Sequence, residues 1–213
     1  MGKAHRRREV KVAPFRGNTG FGQLTRQVAC GAWAAAHIRL GISAVGVLDV
    51  LKTNEIGPQH YRDAMARFAG AVHVVTTDGL AGRRGTTVIA TCSVSDSPPT
   101  VLVCLNAENH SNDLFVENGC FALNTLPADH QPLAEAFSGL TGLTQDERFA
   151  LSDWDVISTG SPTLKGALAV FDCEIIDAKV LATHRVLFGK VTGLRIGDRV
   201  ESLLYFNRAY RAL

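Results

Sequence analysis

Small hydroxyl side chains are concentrated in one segment, Gly85–Asn106, which reads GTTVIATCSVSDSPPTVLVCLN. Hydroxyl and exposed backbone N–H groups can together bind phosphate, polyol hydroxyls and polar ring edges, because no bulky side chain blocks the approach. The segment therefore indicates a site for a planar, anionic ligand. An ordinary strand with a hydroxyl-rich solvent face is the alternative, since Thr favours β-structure. The hydroxyl residues before the double proline are Thr86, Thr87, Thr91, Ser93, Ser95 and Ser97.

The end of this segment and the residues that follow it are expected to contact the same ligand. Pro98 and Pro99 must turn the chain, because a central strand cannot contain a double proline. The next apolar run ends at Asn106, and residues 107–112 are expected to close over the ligand. Ser111 is predicted at the start of a helix, where backbone N–H groups favour phosphate.

Common catalytic motifs are missing from the sequence. It contains no Walker loop, no His-Glu-x-x-His, no paired Cys/His metal spacing and no Gly-x-Ser-x-Gly elbow. The glycines of residues 79–85 precede a β-like run, whereas a dinucleotide fingerprint requires a helix there. Within them, Arg83 and Arg84 are interpreted as a solvated turn, and contact with the phosphates of a bound ligand is the alternative. The sequence therefore predicts no metal site and no acyl-transfer chemistry.

Charge is divided unevenly along the chain. The net charge is +2, but residues 1–54 carry +7 and the remainder carries −5. An acidic body argues against nucleic-acid binding, and charged residues interrupt the apolar residues 28–51, so no membrane span is expected. Residues 1–55 are predicted to be a basic N-terminal appendage. It could be a flexible extension, a targeting segment, or a stretch that is included because the translation start was assigned upstream of the true one. Residues 56–213 are predicted to form the folded domain.

Cysteine usage favours a reducing compartment. The count is odd and no two cysteines form Cys-x-x-Cys, so reduced, buried thiols in a cytoplasmic protein are expected. The five are Cys30, Cys92, Cys104, Cys120 and Cys173.

Hydrophobic periodicity predicts a mainly β domain with short peripheral helices. Tyr61, Ala64, Met65 and Phe68 recur at helical spacing and predict an amphipathic helix with one core face. Hairpin-spaced strands favour an antiparallel barrel. Further helices are predicted at 111–119, 131–139 and 144–154. Strands are predicted at 71–79, 86–94, 100–106, 120–126, 171–175 (alternately buried and exposed), 185–196 and 202–207.

The hydroxyl-rich segment resembles the signature of the short-chain flavin reductase family, Gly-x-Thr-x-Ser-x-x-x-Ser-Val-Ser-x-x-Pro-Pro. The resemblance extends over about residues 58–213, through NTLPADHQPLAEAFSG, GSPTLKGALAVFDCEI, THRVLFGKV and YFNRAY. The residues that match the signature in register are Gly85, Thr87, Ser93, Val94, Ser95, Pro98 and Pro99.

This resemblance implies an antiparallel split β-barrel of the Greek-key, FMN-binding type. It also implies a homodimer with the flavin near the subunit interface, FMN or FAD as cofactor, and NADH or NADPH as reductant. Backbone amides of residues 86–90 would line the flavin, and the residues around Asn106 would lie near its ribityl phosphate. The implied cofactor-binding residues are Thr86, Thr87, Val88, Ile89, Ala90, Ser93, Asn106, Asn109, Ser111 and Asn112.

His184 is the implied catalytic residue, orienting the nicotinamide or the flavin edge. A histidine that is hydrogen-bonded to backbone at a strand start, without a catalytic role, is the alternative. The sequence departs from the family pattern in two places. Ile89 stands where many members have Ser, and Ala182-Thr183-His184 stands where many have Gly-Asp-His.

The resemblance leaves three functions open. The first is an NAD(P)H-dependent flavin oxidoreductase that transfers hydride from nicotinamide C4 to flavin N5 and supplies a partner monooxygenase or a small-molecule acceptor. The second is a corrin reductase that uses bound FAD or FMN to reduce a Co(II) corrinoid to Co(I) in cobalamin biosynthesis. The third is a flavin-binding protein without turnover.

Overall fold

Antiparallel strands dominate the computed structural model, which describes Lys52 and residues 54–213. The predictions for the appendage and for Cys30 therefore lie almost entirely outside the described residues. The strands are β1 (Gly70–Ala71), β2 (His73–Thr77), β3 (Arg84–Val88), β4 (Thr91–Asp96), β5 (Pro99–Asn106), β6 (Cys120–Thr125), β7 (Trp154–Asp155), β8 (Thr163–Leu164), β9 (Ala169–Leu181), β10 (His184–Ile196), β11 (Leu203–Phe206) and β12 (Ala209–Ala212).

Short helices lie between these strands. In the described chain they are α1 (Pro58–Met65), α2 (Asp113–Asn118), α3 (Gln131–Ser138) and α4 (Gln145–Phe149), with 3₁₀ turns at His110–Asn112 and Ala128–His130. Gly119 and Gly139 end α2 and α3 with φ of 72° and 88°, values that favour glycine. Among the residues described, no helix is long and apolar enough to cross a membrane.

The largest sheet is closed at one end by a two-residue link. Within residues 54–213 it has seven strands in the order β3-β2-β6-β9-β10-β5-β4. Although β3 and β4 are its opposite edges, only Ile89 and Ala90 separate them in sequence. Such a link spans at most about 11 Å, so the sheet must curl until its edges meet. There the Cys104 N–H donates to the Ala90 carbonyl at 2.9 Å. The mainly β, antiparallel prediction is confirmed, and the closure is consistent with a split barrel.

Two apolar clusters stabilise this arrangement, one on each face of the central strands. Val75 and Phe121 belong to the cluster enclosed by the curved sheet. Their neighbours Val74 and Ala122 belong to the cluster beneath α3 and α4. Strands β2 and β6 are thus buried on both faces, and the polar side chains that they bury are hydrogen-bonded, as Asn124 is to the Val74 carbonyl at 2.9 Å.

The prediction that α1 buries one face in the core is wrong. In the described part of the chain α1 has no buried residue, and Phe68 just beyond it is 71% exposed. The helix is held at its end and side instead: the Asn207 N–H donates to the Ala66 carbonyl at 2.7 Å, and Arg208 pairs with Asp63. Periodicity defines which face of a helix is apolar, but only the fold decides whether another element covers it.

Two strand predictions also need correction. Residues 86–94 form parts of two strands, β3 and β4, because the chain crosses between the sheet edges at residues 89–90. In β9, Asp172 is fully buried rather than exposed. Its carboxylate accepts the Ser158 N–H at 2.7 Å and the Thr159 N–H at 2.9 Å, because residues 158–161 fold over this face of the strand.

The prediction of uniformly buried thiols is wrong for two cysteines. Cys92 is exposed and Cys104 is half-buried, whereas Cys120 and Cys173 are buried. The reason is that β4 is an edge strand, with one side open to solvent. All four of these described cysteines are free thiols. Burial raises the pKa of Cys173 to about 12, which keeps this thiol protonated.

Protonation of His73 should weaken the fold below neutral pH. His73 is buried in β2 with its Nδ1 3.1 Å from Thr125 Oγ1, and burial lowers its pKa from 6.5 to about 4. Between these values the unfolded chain binds a proton that the folded chain excludes. The stability is therefore complete above pH 6.5 and is lost as the pH falls towards 4. We expect the free energy of unfolding to be about 2 kcal/mol lower at pH 5 than at pH 8 from this group.

Urea denaturation of His73→Gln over this pH range tests the assignment. The amide can still bond to Thr125 but cannot titrate, so the pH dependence should flatten. His110→Gln is the matched control, because the His110 side chain is 90% exposed. An unchanged slope in His73→Gln would assign the effect to other groups.

Candidate active site

A polar cavity of about 260 Å³ lies where the two edges of the sheet meet. It brings together nine of the eleven predicted site residues within the described chain, drawn from β3, β5, the loop after β5 and the start of β10. Its lining residues are Thr86, Thr87, Val88, Ile89, Ala90, Cys104, Leu105, Asn106, Asn109, Asn112 and His184.

Two predicted residues lie outside the cavity, and two unpredicted residues line it. Ser93 is exposed on β4, opposite Val101, beyond the point where the strands meet. Ser111 is also exposed, and its N–H is used by the Asn109 side chain at 3.2 Å. Cys104 and Leu105 line the cavity but belong to an apolar run, which indicates only a buried strand. Sequence alone offered no signal for them.

Strand β3 presents a free backbone edge to the cavity. The Gly85 N–H points away from β2 and donates to Gln145 Oε1 at 2.9 Å. Because N–H groups alternate in direction along an antiparallel strand, the Thr87 N–H lies on the same free edge. The Thr87 hydroxyl donates to the Ala134 carbonyl of α3 at 2.6 Å, so this side chain also anchors the helix. Its oxygen lone pairs are left to accept a bond from a ligand.

The loop after β5 is held in shape by its own asparagines. Asn106 Oδ1 accepts the Glu108 N–H at 2.9 Å, and Asn109 caps the 3₁₀ turn through the Ser111 N–H. Asn112, which is 4% exposed, donates to the Asn106 carbonyl at 2.9 Å. These bonds fix the backbone on one side of the cavity before any ligand binds.

A buried arginine supports this loop from below. Arg84 is 8% exposed, and its Nε and Nη2 both donate to Asn112 Oδ1 at 3.3 Å. Burial, and then the charge of Arg148, lower the pKa of Arg84. Among the described residues no carboxylate forms an ion pair with Arg84. The interpretation of Arg84 as part of a solvated turn is therefore wrong, although Arg83 is exposed and pairs with Asp146 at 2.5 Å.

A second arginine lies on the other side of Asn112. Arg185 pairs with Asp113 at 2.5 Å and donates to the Asn112 carbonyl at 3.4 Å. The pair lowers the pKa of Asp113, chiefly through the hydrogen bond from Arg185. Because Arg185 is neutralised and Arg84 is not, the net positive charge beneath the cavity comes from Arg84. The burial of Arg84 could not be predicted from the sequence, since it depends on the position of β3 in the sheet.

His184 stands at the rim of the cavity at the start of β10. It is exposed and lies opposite Asn106 in the strand register. Its Nδ1 lies 2.9 Å from the Thr183 hydroxyl, which leaves Nε2 available to a ligand. The preceding Ala182 has φ of 51°, a left-handed conformation that favours glycine. Ala in place of the family's Gly therefore strains the turn by about 1 kcal/mol without displacing the histidine.

Larger cavities lie elsewhere in the described chain, including one of about 330 Å³ that is lined by Phe68 and Ile89 among others. One of about 370 Å³ adjoins the polar cavity and shares Thr87, Val88 and Ile89 with it. Another of about 620 Å³ is lined by Asp78 and Trp154 among others and shares no residue with either. Its charged groups are largely satisfied within the chain: Arg83 pairs with Asp146, and Asp155 pairs with Arg195. Size alone therefore does not identify the functional site.

The fold and the polar cavity define a class of protein: an antiparallel β-domain with a polar cavity where the edges of its curled sheet meet. The chain belongs to the flavin reductase-like family. The family model described as "Flavin reductase like domain" matches residues 65–213, which include every residue of the cavity.

Curated relatives and solved structures support this membership. The chain is 50% identical over 153 residues to FMN reductase (NADH) RutF 2 of Methylorubrum extorquens, covering 72% of this chain and 88% of the relative. It is 47% identical over 162 residues to FMN reductase (NADH) RutF of Ancylobacter novellus, covering 76% and 88%. A flavin reductase structure from Haemophilus somnus has a TM-score of 0.71 at 41% identity, covering 74% of this chain and all of that one.

Replacing Gly85 by Ala should destabilise the protein through packing. A Cβ at this position would lie 2.4 Å from the Phe137 ring and 3.1 Å from the Phe149 ring. Overpacking of this kind costs about 1–3 kcal/mol. The glycine of the family signature is thus required by the fit of α3 against β3.

Thermal denaturation of Gly85→Ala beside Gly70→Ala provides the comparison. A Cβ at Gly70 would meet Ile89 at an ordinary 3.5 Å, so this control should change the melting temperature little. Equal effects in the two variants would contradict the packing explanation.

Proposed function

We propose that the protein is an NADH-dependent flavin reductase that transfers hydride from the nicotinamide to FMN. The polar cavity at the sheet junction carries this proposal, because it unites nine predicted site residues over a buried cation. Relatives at 47–50% identity that are named FMN reductase (NADH) support the choice of reaction and cofactors.

The donor groups around the cavity fit FMN. The free N–H of Thr87 can bond to a polar ring edge, while Asn106 and Asn109 offer amides to polyol hydroxyls. The Arg84 charge favours a phosphate on the side of Asn112. Ile89 is 44% exposed and offers an apolar surface to a ring where many family members have a serine hydroxyl.

The flavin, when bound, supplies the ring that accepts the hydride. The chain contributes binding and orientation: β3 and the loop after β5 hold two sides of the cavity in a fixed shape. Alignment of the two reacting rings accounts for much of the rate acceleration in such reactions. The position of His184 at the rim, with Nε2 available, supports a role for this side chain in orienting the reductant.

Family membership also bears on the oligomeric state, the compartment and the electron acceptor of the protein. We infer a homodimer in the cytoplasm, with reduced flavin passing to a partner monooxygenase or another acceptor. Exposed apolar side chains beside the cavity, Ile89 and Phe68 among them, support pairing with a second copy. The four free thiols in the described chain agree with a reducing compartment. FAD is proposed as an alternative cofactor.

Anaerobic stopped-flow mixing tests the function. Protein mixed with FMN and NADH should bleach the flavin absorbance, and catalytic amounts of protein should oxidise NADH as long as free FMN is supplied. Bleaching that is reversed only by a Co(II) corrinoid would replace the proposal with the corrin reductase. Flavin binding without bleaching would leave a binding protein.

Replacing Arg84 by Gln should weaken FMN binding more than riboflavin binding. The two ligands differ by the phosphate, whose negative charge the buried Arg84 guanidinium stabilises from behind Asn112. We expect the ratio of FMN to riboflavin affinity to fall about 10-fold, measured by fluorescence titration. Riboflavin binding also corrects for any general loss of the fold.

The adjacent Arg83→Gln is the matched control, because Arg83 is exposed and points to Asp146. It should leave the ratio unchanged. If both variants leave the ratio unchanged, the phosphate does not lie near Arg84.

Replacing His184 by Ala should slow flavin reduction by NADH more than it weakens FMN binding. The side chain is exposed at the cavity rim and makes no contact that stabilises the core. Loss of a positioning hydrogen bond should lower the reduction rate about 10-fold. Single-turnover stopped-flow gives the rate, and titration gives the affinity. Unchanged values for both would assign His184 to the scaffold.

A further inference from the structure

The cavity that adjoins the flavin cavity has a different chemical character. It has a volume of about 370 Å³ and an apolar lining with two tyrosine rings, Tyr205 and Tyr210, packed edge to face at 5.2 Å. Arg208 is the sole charged residue of this lining in the described chain. Aromatic walls with one guanidinium at the rim suit a planar ring that carries an anionic group. The shared residues Thr87, Val88 and Ile89 place this cavity directly beside the polar cavity.

The backbone at Arg208 is strained. Asn207 and Arg208 form the two-residue turn between β11 and β12, with φ of 49° and 60°. Such turns favour glycine at the second position, because a Cβ in the left-handed region costs about 1 kcal/mol. An arginine at this point lowers the stability of the turn, and strain of this kind is concentrated at functional sites.

The guanidinium is held by a partner that it can exchange. Arg208 pairs with Asp63 of α1, and the two side chains are 53% and 50% exposed. The hydrogen bond from Arg208, and then that from Gln59, lowers the pKa of Asp63. An ion pair this exposed is weak, so a phosphate group with two negative oxygens can displace the carboxylate.

We propose that Arg208 binds the diphosphate of an adenine dinucleotide whose ring system enters the Tyr205–Tyr210 cavity, and that Asp63 competes with this diphosphate for the guanidinium. The inference deepens the proposed function and rests on it. The adenosine diphosphate unit is common to NADH and FAD and is absent from FMN, so the same chemistry could come from the reductant or from the larger flavin. Asp63 then weakens binding, whereas Arg208 strengthens it.

Two substitutions with opposite expected effects test this competition. Arg208→Gln should raise the KM for NADH, or the Kd for FAD, about 10-fold with kcat changed much less. Asp63→Asn should lower the same constant about two-fold to five-fold, because the guanidinium is then free. If the ion pair only held α1 against the turn, both substitutions would act in the same direction, and that result would overturn the proposal.

The affected constant identifies the source of the diphosphate. A changed KM for NADH with FMN as acceptor assigns it to the reductant, and a changed FAD affinity at constant KM assigns it to the flavin. Arg211→Gln is the matched control: Arg211 is exposed on β12 and lines neither cavity, so both constants should stay as in the wild type. If Arg208→Gln also leaves both constants unchanged, the proposal is wrong.

Calorimetric titration with ADP separates this inference from the proposed function. If the wild-type protein failed to oxidise NADH, the proposed reductase function would be wrong. The ADP affinities of the wild type and the two variants could still be compared directly. Weaker ADP binding by Arg208→Gln and tighter binding by Asp63→Asn would support the proposal. Equal ADP affinity in wild type and Arg208→Gln would overturn it.

Discussion

The two-residue link from β3 to β4 is the constraint on which the remaining structure depends. Ile89 and Ala90 carry the chain from one edge of the seven-stranded sheet to the other, so the sheet must close at that point. Closure brings the free backbone edge of β3 next to the end of β5 and the start of β10. The polar cavity is thus a direct product of the topology. A flat sheet of the same strands would separate its lining residues by the width of the sheet.

Buried polar groups then give the cavity its shape and its charge. Arg84, Asn112 and Asn106 form a connected series of hydrogen bonds behind the lining, and the Thr87 hydroxyl ties β3 to α3. Satisfied buried polar groups of this kind confer rigidity, because any alternative arrangement leaves a donor or an acceptor unpaired. The proposed alignment of two ring systems would need this rigidity more than it would need acid–base groups, and Cys104 and His184 are the titratable side chains in the lining of the described cavity.

The periphery of the domain contrasts with this rigid centre. Helix α1 has no buried residue in the described chain and contacts the β11–β12 turn through weak, exposed interactions. The same turn carries Arg208 in a strained conformation at the rim of the apolar cavity. The elements that close the polar cavity are therefore well packed, whereas α1 is attached to the β11–β12 turn by exposed contacts.

The sequence by itself determined the antiparallel β class, most element positions and the residues around the cavity, because alternation, turn residues and the signature from Gly85 to Pro99 are local features. It did not predict that Arg84 and Asp172 are buried, or that α1 and Cys92 are exposed. It also did not predict that Cys104 lines the cavity, or that residues 89–90 divide the predicted strand into β3 and β4. These features depend on which strand lies beside which, and on which loop covers each face. The hydrophobic periodicity of an element identifies its apolar face, but the tertiary structure decides whether another element covers that face.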